Sequence, residues 1–236
     1  MNFIYVFKRI EKKYFLTKEQ YNNIIKKTEA HMHPDHFGET IINNIYFDNE
    51  NDELIETSLQ KPVYKEKLRL RGYGALTLDS TVFFEIKKKY NGVVYKRRIS
   101  MTLKEAYDFI NTKKLPPNIL GNIPVEIDYM IKRYLLYPKA YIGYNRLALI
   151  DNINPDLRIT FDSDIVSRYD DIRLELGNAG TRLIPKDTYL MEIKIPGAMP
   201  LWLAHALSEE KIYPTRFSKF GKSHINRKLK EVYINV

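Results

Sequence analysis

Residues 67–71 have the sequence Lys-Leu-Arg-Leu-Arg, and this stretch decides the fold class that the sequence predicts. Side chains alternate between the two faces of a β-strand, so Lys67, Arg69 and Arg71 share one face and the two leucines lie on the other. Polar and apolar residues alternate in many half-exposed sheets. The choice of polar residue is unusual, because Thr, Ser or Gln would be equally acceptable on a face exposed to solvent. The stretch therefore predicts a strand with one apolar and one strongly cationic face.

The same alternation recurs on later strands, where it places further cations and a few carboxylates in phase. If these faces converge inside a closed barrel of about eight strands, the cations repel one another unless an anionic ligand fills the interior. Guanidinium and ammonium groups suit phosphate oxygens, and glutamates among them suit a divalent cation. The pattern therefore predicts a basic barrel that binds a phosphate chain and a divalent metal. Its in-phase polar residues are Glu85, Lys87, Lys89, Lys96, Arg98, Tyr144, Arg146, Arg158, Glu192 and Lys194.

The charge of the chain is concentrated in the same region. The 236 residues carry a formal net charge of +9, and residues 61–98 contain 11 Lys/Arg against 3 acids, or +8. Such a local excess is typical of proteins with an anionic partner, and a solvated basic surface is the alternative. Because the chain has no cysteine, a disulfide scaffold, a thiolate zinc site and a cysteine nucleophile are excluded.

No apolar run approaches the roughly 18 residues that a membrane-spanning helix needs. At the start of the chain, the charges follow a short apolar patch, which is the wrong order for a secretory signal. We expect a cytoplasmic protein whose membrane contacts, where they exist, involve its surface or a partner.

Turn signals and short alternating runs predict an α+β fold with many antiparallel strands and helices packed outside them. Thr17 with Gln20 and Thr102 with Glu105 are capping-box pairs that predict helix starts, and further helices are expected at residues 124–137, 200–208 and 224–232. Asn91-Gly92 predicts a tight hairpin. No linker or repeat divides the chain, so a single domain over residues 1–236 is expected. The predicted strands cover residues 3–10, 40–48, 63–71, 82–89, 93–101, 140–150, 157–163, 172–176 and 189–195.

Three histidines near residue 33 and two cations that alternate out of phase are interpreted as structural and not as functional residues. His31, His33 and His36 resemble a metal cluster, but without a second ligand set of known spacing we favour a solvated loop. Lys88 and Arg97 alternate out of phase with the cationic face, so they are expected to face outward and to be dispensable for function.

Nine segments resemble, in order, the VTC (vacuolar transporter chaperone) polyphosphate polymerase domain of the triphosphate tunnel metalloenzyme superfamily. No single segment is specific for this family. The ordered set of nine segments, which includes R-x-R-x-Y-G and F-S-K-F, is specific for it. The segments are residues 11–14 (EKKY), 46–49 (YFDN), 69–74 (RLRGYG), 84–87 (FEIK), 96–98 (KRR), 144–148 (YNRLA), 158–162 (RITFD), 192–194 (EIK) and 217–220 (FSKF).

The resemblance implies an antiparallel barrel tunnel that binds ATP and a divalent metal, Mn²⁺ or Mg²⁺. Glu192 would be the principal metal ligand and Glu85 a second. Arg216 stands where the family usually has lysine, which keeps the charge. The residues implied to carry catalysis are Arg69, Arg71, Lys87, Arg146, Arg158 and Glu192, and the phosphate-binding set is Lys13, Arg69, Arg71, Lys87, Lys96, Arg98, Arg146, Arg158, Arg216 and Lys219.

The activity implied is transfer of the γ-phosphate of ATP, or of another nucleoside triphosphate, to a growing polyphosphate chain. A triphosphatase of the same fold and a non-catalytic polyphosphate- or polyanion-binding module are the alternatives. The chain is expected to contain no SPX regulatory domain and no transmembrane segment, which leaves room for a separate membrane-protein partner. No nucleic-acid partner is expected, because carboxylates among the cations would not contribute to binding the phosphate backbone of a nucleic acid.

Overall fold

The structure is a computed structural model that describes residues 10–234. This part of the chain contains ten strands, six helices and one 3₁₀ turn at Leu174–Leu176. The predicted strand at residues 3–10 lies outside the described residues except for Ile10, where the first strand begins. The strands are β1 Ile10–Thr17, β2 Met32–Asp48, β3 Tyr64–Tyr73, β4 Thr81–Tyr90, β5 Val93–Thr102, β6 Tyr137–Asp151, β7 Arg158–Arg168, β8 Thr181–Arg182, β9 Thr188–Ile195 and β10 Pro214–Thr215. The helices are α1 Lys18–Thr28, α2 Glu53–Leu59, α3 Leu103–Thr112, α4 Asn122–Tyr134, α5 Leu201–Glu209 and α6 Lys219–Ile234.

The strands form one large sheet in the order β10-β1-β9-β7-β6-β2-β3-β4-β5, with β8 paired to β7. Strand pairing is antiparallel between β1 and β9, β2 and β3, β3 and β4, β4 and β5, and β7 and β9. Among residues 10–234, β10 and β5 are the ends of the path and do not pair with each other. The mixed architecture with an antiparallel sheet is thus confirmed, but the predicted closed barrel of about eight strands is wrong for these residues. A period of two fixes the face on which a side chain lies, and it does not determine whether the edge strands pair.

The chain forms two compact units, each with its own apolar core. The first comprises residues 10–40, 144–165 and 184–217, and the second residues 41–143, 166–183 and 218–234. In the first unit, Tyr14 of β1 and Ile193 of β9 pack with Ile24 of α1. In the second, Leu68 of β3 and Phe84 of β4 pack in a core that also includes helices α3 and α4. The prediction of one domain over residues 1–236 stays a prediction.

Local sequence signals predicted several elements correctly. Thr17 caps α1, and its hydroxyl accepts from the backbone N–H of Gln20 at 3.2 Å, while the side chain of Gln20 accepts from the backbone N–H of Thr17. Thr102 and Glu105 form the same reciprocal pair at the start of α3. Asn91 and Gly92 both have positive φ, as a tight turn between β4 and β5 requires.

Two local predictions were wrong, and one helix was not predicted. Residues 172–176 are not a strand, because Leu174–Leu176 forms a 3₁₀ turn. Helix α2 was missed, since its seven residues are too short to show a helical period. Strand β2 begins at Met32, so the histidine-rich segment lies largely in a strand and not in a loop. In that segment, a ring nitrogen of His33 lies 2.7 Å from Oδ1 of Asn152.

Within residues 10–234, no helix combines the length and the apolar character that crossing a bilayer requires.

Candidate functional site

The cationic face predicted for β3 continues onto β4 and β5 because the three strands pair in register. Arg69 lies opposite Glu85, and Glu85 lies opposite Arg98. One step along the strands, Lys67 lies opposite Lys87, which lies opposite Lys96. The other face of the same strands contributes Leu68, Leu70, Phe84 and Ile86 to the apolar core of the second unit. The alternation in the sequence therefore brings a polar set to one face of this unit.

Glu85 is the centre of this set, and we call Glu85, Arg69, Arg71, Lys96 and Tyr46 the Glu85 cluster. Arg69 donates from Nε to Oε2 of Glu85 at 2.7 Å, and its terminal nitrogen lies 2.6 Å from the same oxygen. Nζ of Lys96 lies 2.7 Å from the other carboxylate oxygen, and Nε of Arg71 lies 3.9 Å from Oε2. Only 1% of Glu85 is exposed. One buried carboxylate thus faces three cations, so the cluster carries an excess of positive charge.

The pKa values of the cluster reflect this excess. Burial alone would raise the pKa of Glu85, but Arg69, Arg71 and Lys96 outweigh it and lower the pKa to about 2. Desolvation, with the nearby guanidiniums of Arg69 and Arg71, lowers the pKa of Lys96 to about 8, although Glu85 opposes this effect. Glu85 therefore remains ionised at neutral pH, whereas Lys96 loses its proton at mildly alkaline pH.

Tyr46 of the cluster and Asn44 beside it both lie on β2, and neither was predicted as a site residue. Tyr46 accepts a hydrogen bond from Arg69 at 3.1 Å and stacks on Phe220 of α6, with ring centroids 4.7 Å apart. Burial would raise the pKa of Tyr46, but Arg69, Arg71 and Lys67 lower it to about 7. Oδ1 of Asn44 accepts from Nε of Arg71 at 2.8 Å. These residues face Arg69 and Arg71 across the β2–β3 register, and their two-residue spacing on a strand was the signal that could have identified them.

A second polar set lies in the first unit, on the face of β1, β7 and β9 opposite the apolar core; we call Glu192, Lys13, Glu11, Lys194 and Thr160 the Glu192 cluster. The register places Glu192 opposite both Lys13 and Thr160. Oε1 of Glu192 lies 3.4 Å from Nζ of Lys13, and Oε2 lies 3.9 Å from Nζ of Lys194. Nζ of Lys13 also lies 3.3 Å from Glu11 and donates to the carbonyl of Phe217 at 3.1 Å.

Arg146 and Asp162 form a bidentate ion pair in the same unit. Nε of Arg146 donates to one oxygen of Asp162 at 2.6 Å, and the terminal nitrogen donates to the other at 2.7 Å. Asp162 is fully buried. Burial would lower the pKa of Arg146, but Asp162 and its neighbours raise it, so Arg146 keeps its charge. Asp162 was missed as a site residue, although it alternates in phase with Arg158 on β7.

The residues around Glu192 fit a divalent metal that is held partly by the protein and partly by a phosphate ligand. No group of three or more His, Cys, Asp or Glu side chains that could hold a metal ion occurs among residues 10–234, so an all-protein site is not formed there. Mg²⁺ and similar ions are commonly held by one or two carboxylates together with substrate phosphates. The buried hydroxyl of Thr160, opposite Glu192, has no hydrogen-bond partner among the described residues. A buried carboxylate beside an unsatisfied hydroxyl fits a metal shared with a phosphate ligand.

Glu85 has a different environment from Glu192. Both of its oxygens lie within 2.7 Å of a cationic nitrogen. A divalent cation there would add positive charge to a cluster that already has an excess, so the geometry favours a role as counter-ion. The assignment of Glu85 as a second metal ligand stays a prediction.

The other predicted site residues lie outside these ion-pair clusters. Lys87, Arg98, Arg158 and Arg216 are exposed, and Lys219 is half-buried at the start of α6. Arg98 lies over the ring of Phe83, 4.6 Å from its centroid, and Arg158 donates to the carbonyl of Pro155 at 3.3 Å. Each of these residues remains a predicted phosphate ligand.

Lys88 and Arg97 lie on the opposite face of β4 and β5, as their phase predicts, and they form ion pairs there. Nζ of Lys88 lies 2.8 Å from Glu126 of α4 and 3.5 Å from Glu66. Arg97 lies 2.8 Å from the other oxygen of Glu126. The chain thus neutralises the cations of this face with its own carboxylates.

Comparison with known protein families gives a match over most of the chain. A family model described as the VTC domain matches residues 8–225.

Comparison with solved structures gives matches at low sequence identity. A candidate adenylate cyclase from Bacillus halodurans has a TM-score of 0.56 and 15% identity, covering 89% of this chain and 93% of that chain. A candidate adenylyl cyclase from Hippeastrum, described as having a dominant triphosphatase activity, has a TM-score of 0.51 and 14% identity, covering 92% and 96%. A candidate adenylate cyclase from Vibrio parahaemolyticus has a TM-score of 0.50 and 13% identity, covering 92% and 97%. At these identities the matches show a shared fold.

Proposed function

Since the chain belongs to the VTC domain family, we propose that it is a metal-dependent polyphosphate polymerase that transfers the γ-phosphate of ATP to a growing polyphosphate chain. The observation that carries the proposal is the Glu85 cluster, where a single buried carboxylate faces Arg69, Arg71 and Lys96. Phosphate oxygens would supply the negative charge that the cluster lacks, and guanidinium forks suit their geometry.

The proposed reaction needs little covalent help from the protein. A terminal oxygen of the polyphosphate acceptor attacks the γ-phosphorus of ATP, the bond from that phosphorus to the β–γ bridging oxygen breaks, and ADP leaves. The loose transition state of such transfers spreads charge over the non-bridging oxygens, so positioning and charge neutralisation dominate catalysis. We assign charge neutralisation to Arg69 and Arg71, whose guanidiniums are held by Glu85 and Asn44.

Residues of the first unit are assigned the metal and further phosphate contacts. Glu192 would hold the divalent ion, Mn²⁺ or Mg²⁺, with Thr160 beside it. When bound, the ion would neutralise phosphate oxygens and polarise the phosphorus for attack. Lys13 lies 3.4 Å from Glu192, so it can bind phosphate next to the metal. Arg146 is fixed by its two bonds to Asp162, which reduces the entropy lost when it binds a ligand.

A triphosphatase is the second candidate function. It is favoured by the described triphosphatase activity of the structural neighbour from Hippeastrum. The same phosphate and metal contacts would serve it, with water as the acceptor in place of a phosphate chain.

One experiment tests the proposal and separates the two functions. Purified protein is incubated with ATP and Mn²⁺, and the products are resolved on a polyacrylamide gel. A ladder of long polymer is expected, together with its loss in Glu192→Gln. Glu39→Gln, on the same unit but outside both clusters, serves as the charge-matched control and is expected to retain synthesis. Free phosphate without polymer would support the triphosphatase instead, and no turnover of ATP at all would overturn both catalytic proposals in favour of a binding module.

A further inference from the structure

An exposed apolar patch lies at one end of the sheet, where the β4–β5 hairpin meets the start of β3. Tyr64 of β3 lies opposite Tyr90 of β4. The backbone N–H of Asn91, in the turn of the hairpin, donates to the carbonyl of Val63 at 3.0 Å. We call this surface the hairpin patch, and its members, each between 41% and 66% exposed, are Val63, Tyr64, Tyr90, Val94 and Tyr95.

The apolar character of the hairpin tip departs from the alternation of the strands that form it. Further along these strands, the apolar side chains of Leu68 and Ile86 are buried in the core of the second unit. At the tip, Val94 alternates onto the polar face and Tyr95 onto the opposite face, so exposed apolar side chains occur on both faces of the hairpin. Single exposed apolar residues are ordinary on protein surfaces, but a contiguous group of them is typical of an interaction site.

Cations flank the hairpin patch on both strands of the hairpin. Residues 87–98, KKKYNGVVYKRR, place three cations before the tip and three after it, with no acid between them. Lys88 and Arg97 form ion pairs with Glu126 of α4. Lys89 is exposed and lies directly opposite Val94, so a positive charge stands beside the apolar tip.

Lys61 adds positive charge on the β3 side of the patch. This exposed lysine precedes Val63 by two residues. Burial lowers the pKa of Lys65, and so do three neighbouring ammonium groups, those of Lys89, Lys87 and Lys61. These cations therefore lie close enough together to present one positive field around the hairpin patch.

An anionic bilayer surface fits this combination better than a folded protein partner does. A hairpin that turns at Asn91-Gly92 is narrow and convex, so a folded partner would cover only one side of it, whereas a bilayer surrounds an inserted tip. Tyrosine is enriched where membranes meet water, because its ring is apolar and its hydroxyl is polar. Three of the five patch residues are tyrosines. Lysines close to a membrane surface add electrostatic attraction to anionic lipids.

We propose that the hairpin patch inserts into the headgroup region of a bilayer that contains anionic phospholipids, while Lys61 and Lys89 lie at the lipid surface. This binding is independent of the proposed catalytic activity, because none of the five patch residues belongs to the Glu85 cluster or the Glu192 cluster. Its consequence is that the protein is held at a membrane surface by its own residues, without a protein partner.

Sedimentation of the whole protein with lipid vesicles tests the proposal. Phosphatidylcholine vesicles with about 30% phosphatidylserine are compared with vesicles of phosphatidylcholine alone. Wild-type protein should sediment with the anionic vesicles and bind the neutral ones at least about tenfold more weakly. Tyr90→Ser/Val94→Ser should lose about tenfold in affinity for the anionic vesicles. The matched control Tyr213→Ser/Val232→Ser, which changes two exposed side chains outside the hairpin, should bind as the wild type does.

The electrostatic contribution is tested by a single lysine. Lys61→Gln should lower the affinity for anionic vesicles roughly two- to fivefold and should weaken its dependence on salt. Lys104→Gln is the charge-matched control, because this exposed lysine follows β5 at the end of the strand opposite to the hairpin. It should change the affinity less than Lys61→Gln does.

Insertion of the tip is measured separately from binding. Because the chain has no cysteine, Val93→Cys provides one attachment site at the tip for an environment-sensitive dye. Its emission should shift to shorter wavelength when anionic vesicles are added. The same dye on Lys104→Cys should show no shift.

Three results would overturn the proposal. Failure of wild-type protein to sediment with anionic vesicles would assign the hairpin patch to a protein interface. Equal vesicle binding by Tyr90→Ser/Val94→Ser and the wild type would show adsorption by charge alone. Unchanged emission of the dye at residue 93 would show that the tip does not enter the headgroup region.

Discussion

Replacing Glu85 by glutamine tests whether one carboxylate holds the cationic cluster together in the absence of ligand. Glu85 is 1% exposed, and its pKa is lowered from the ordinary value of 4.5 to about 2. At about 1.4 kcal/mol for each pH unit, this difference corresponds to roughly 3 kcal/mol of stability at neutral pH. Removal of one partner from a buried ion pair typically costs about 3–5 kcal/mol. We therefore expect Glu85→Gln to lower the free energy of unfolding by about 3 kcal/mol.

The dependence on pH has a definite sign. Between the ordinary pKa of 4.5 and the folded value of about 2, the unfolded chain binds a proton at Glu85 that the folded chain does not. The stabilisation is therefore fully present above this window and is lost as the pH falls through it. The glutamine variant should lack this part of the acid dependence.

Urea unfolding with and without tripolyphosphate is the assay. An anionic ligand replaces the missing charge, so it should stabilise Glu85→Gln more than it stabilises the wild type. Glu50→Gln, an exposed acid of the same unit, is the control and should change stability by less than about 0.5 kcal/mol. Two results would contradict this expectation: Glu85→Gln unfolds at the same urea concentration as the wild type, or tripolyphosphate stabilises the variant less than it stabilises the wild type.

Three further predictions concern neighbouring groups. Spectrophotometric titration should show one tyrosine ionising near pH 7, because the surrounding cations lower the pKa of Tyr46 to about 7. This transition should vanish in Tyr46→Phe and should move to higher pH when tripolyphosphate is bound. Persistence of the transition in the variant would assign it to another residue. Asp162→Asn should lower the free energy of unfolding by about 3–5 kcal/mol in urea, because it leaves the charge of Arg146 without its bidentate partner; a loss below about 1 kcal/mol would contradict this. Tripolyphosphate affinity should fall as the pH rises through about 8, where Lys96 loses its proton. In Lys96→Gln this fall in affinity near pH 8 should be absent. An unchanged fall in the variant would contradict its assignment to Lys96.

The strands and their polar faces were predictable because they depend on local alternation. The sequence at residues 67–71 placed Arg69 and Arg71 on one face, and the structure has them there with Leu68 and Leu70 in the core. The capping boxes at Thr17 and Thr102 were equally local. Closure of the sheet was not predictable, because it depends on pairing between edge strands that no periodicity encodes.

The composition of each cluster was only partly predictable from the sequence. The cations were predictable because they are in excess in the sequence, whereas the groups that orient them are not distinguished by composition. Asn44 and Tyr46 have ordinary strand sequences around them, and their importance depends on the β2–β3 register. Asp162 was visible as an in-phase acid, but its two bonds to Arg146 required the structure. Pairing register, a long-range property, therefore determines which polar residues meet.

The measurement that tests the central proposal most directly is phosphorus NMR of the wild-type protein incubated with ATP and Mn²⁺, with the metal removed by chelation before the spectrum is recorded. We expect the γ-phosphate signal of ATP to decline while a resonance from internal chain phosphates grows, and we expect neither change with Glu192→Gln. A decline of the γ-phosphate signal matched only by inorganic phosphate would contradict polymer synthesis.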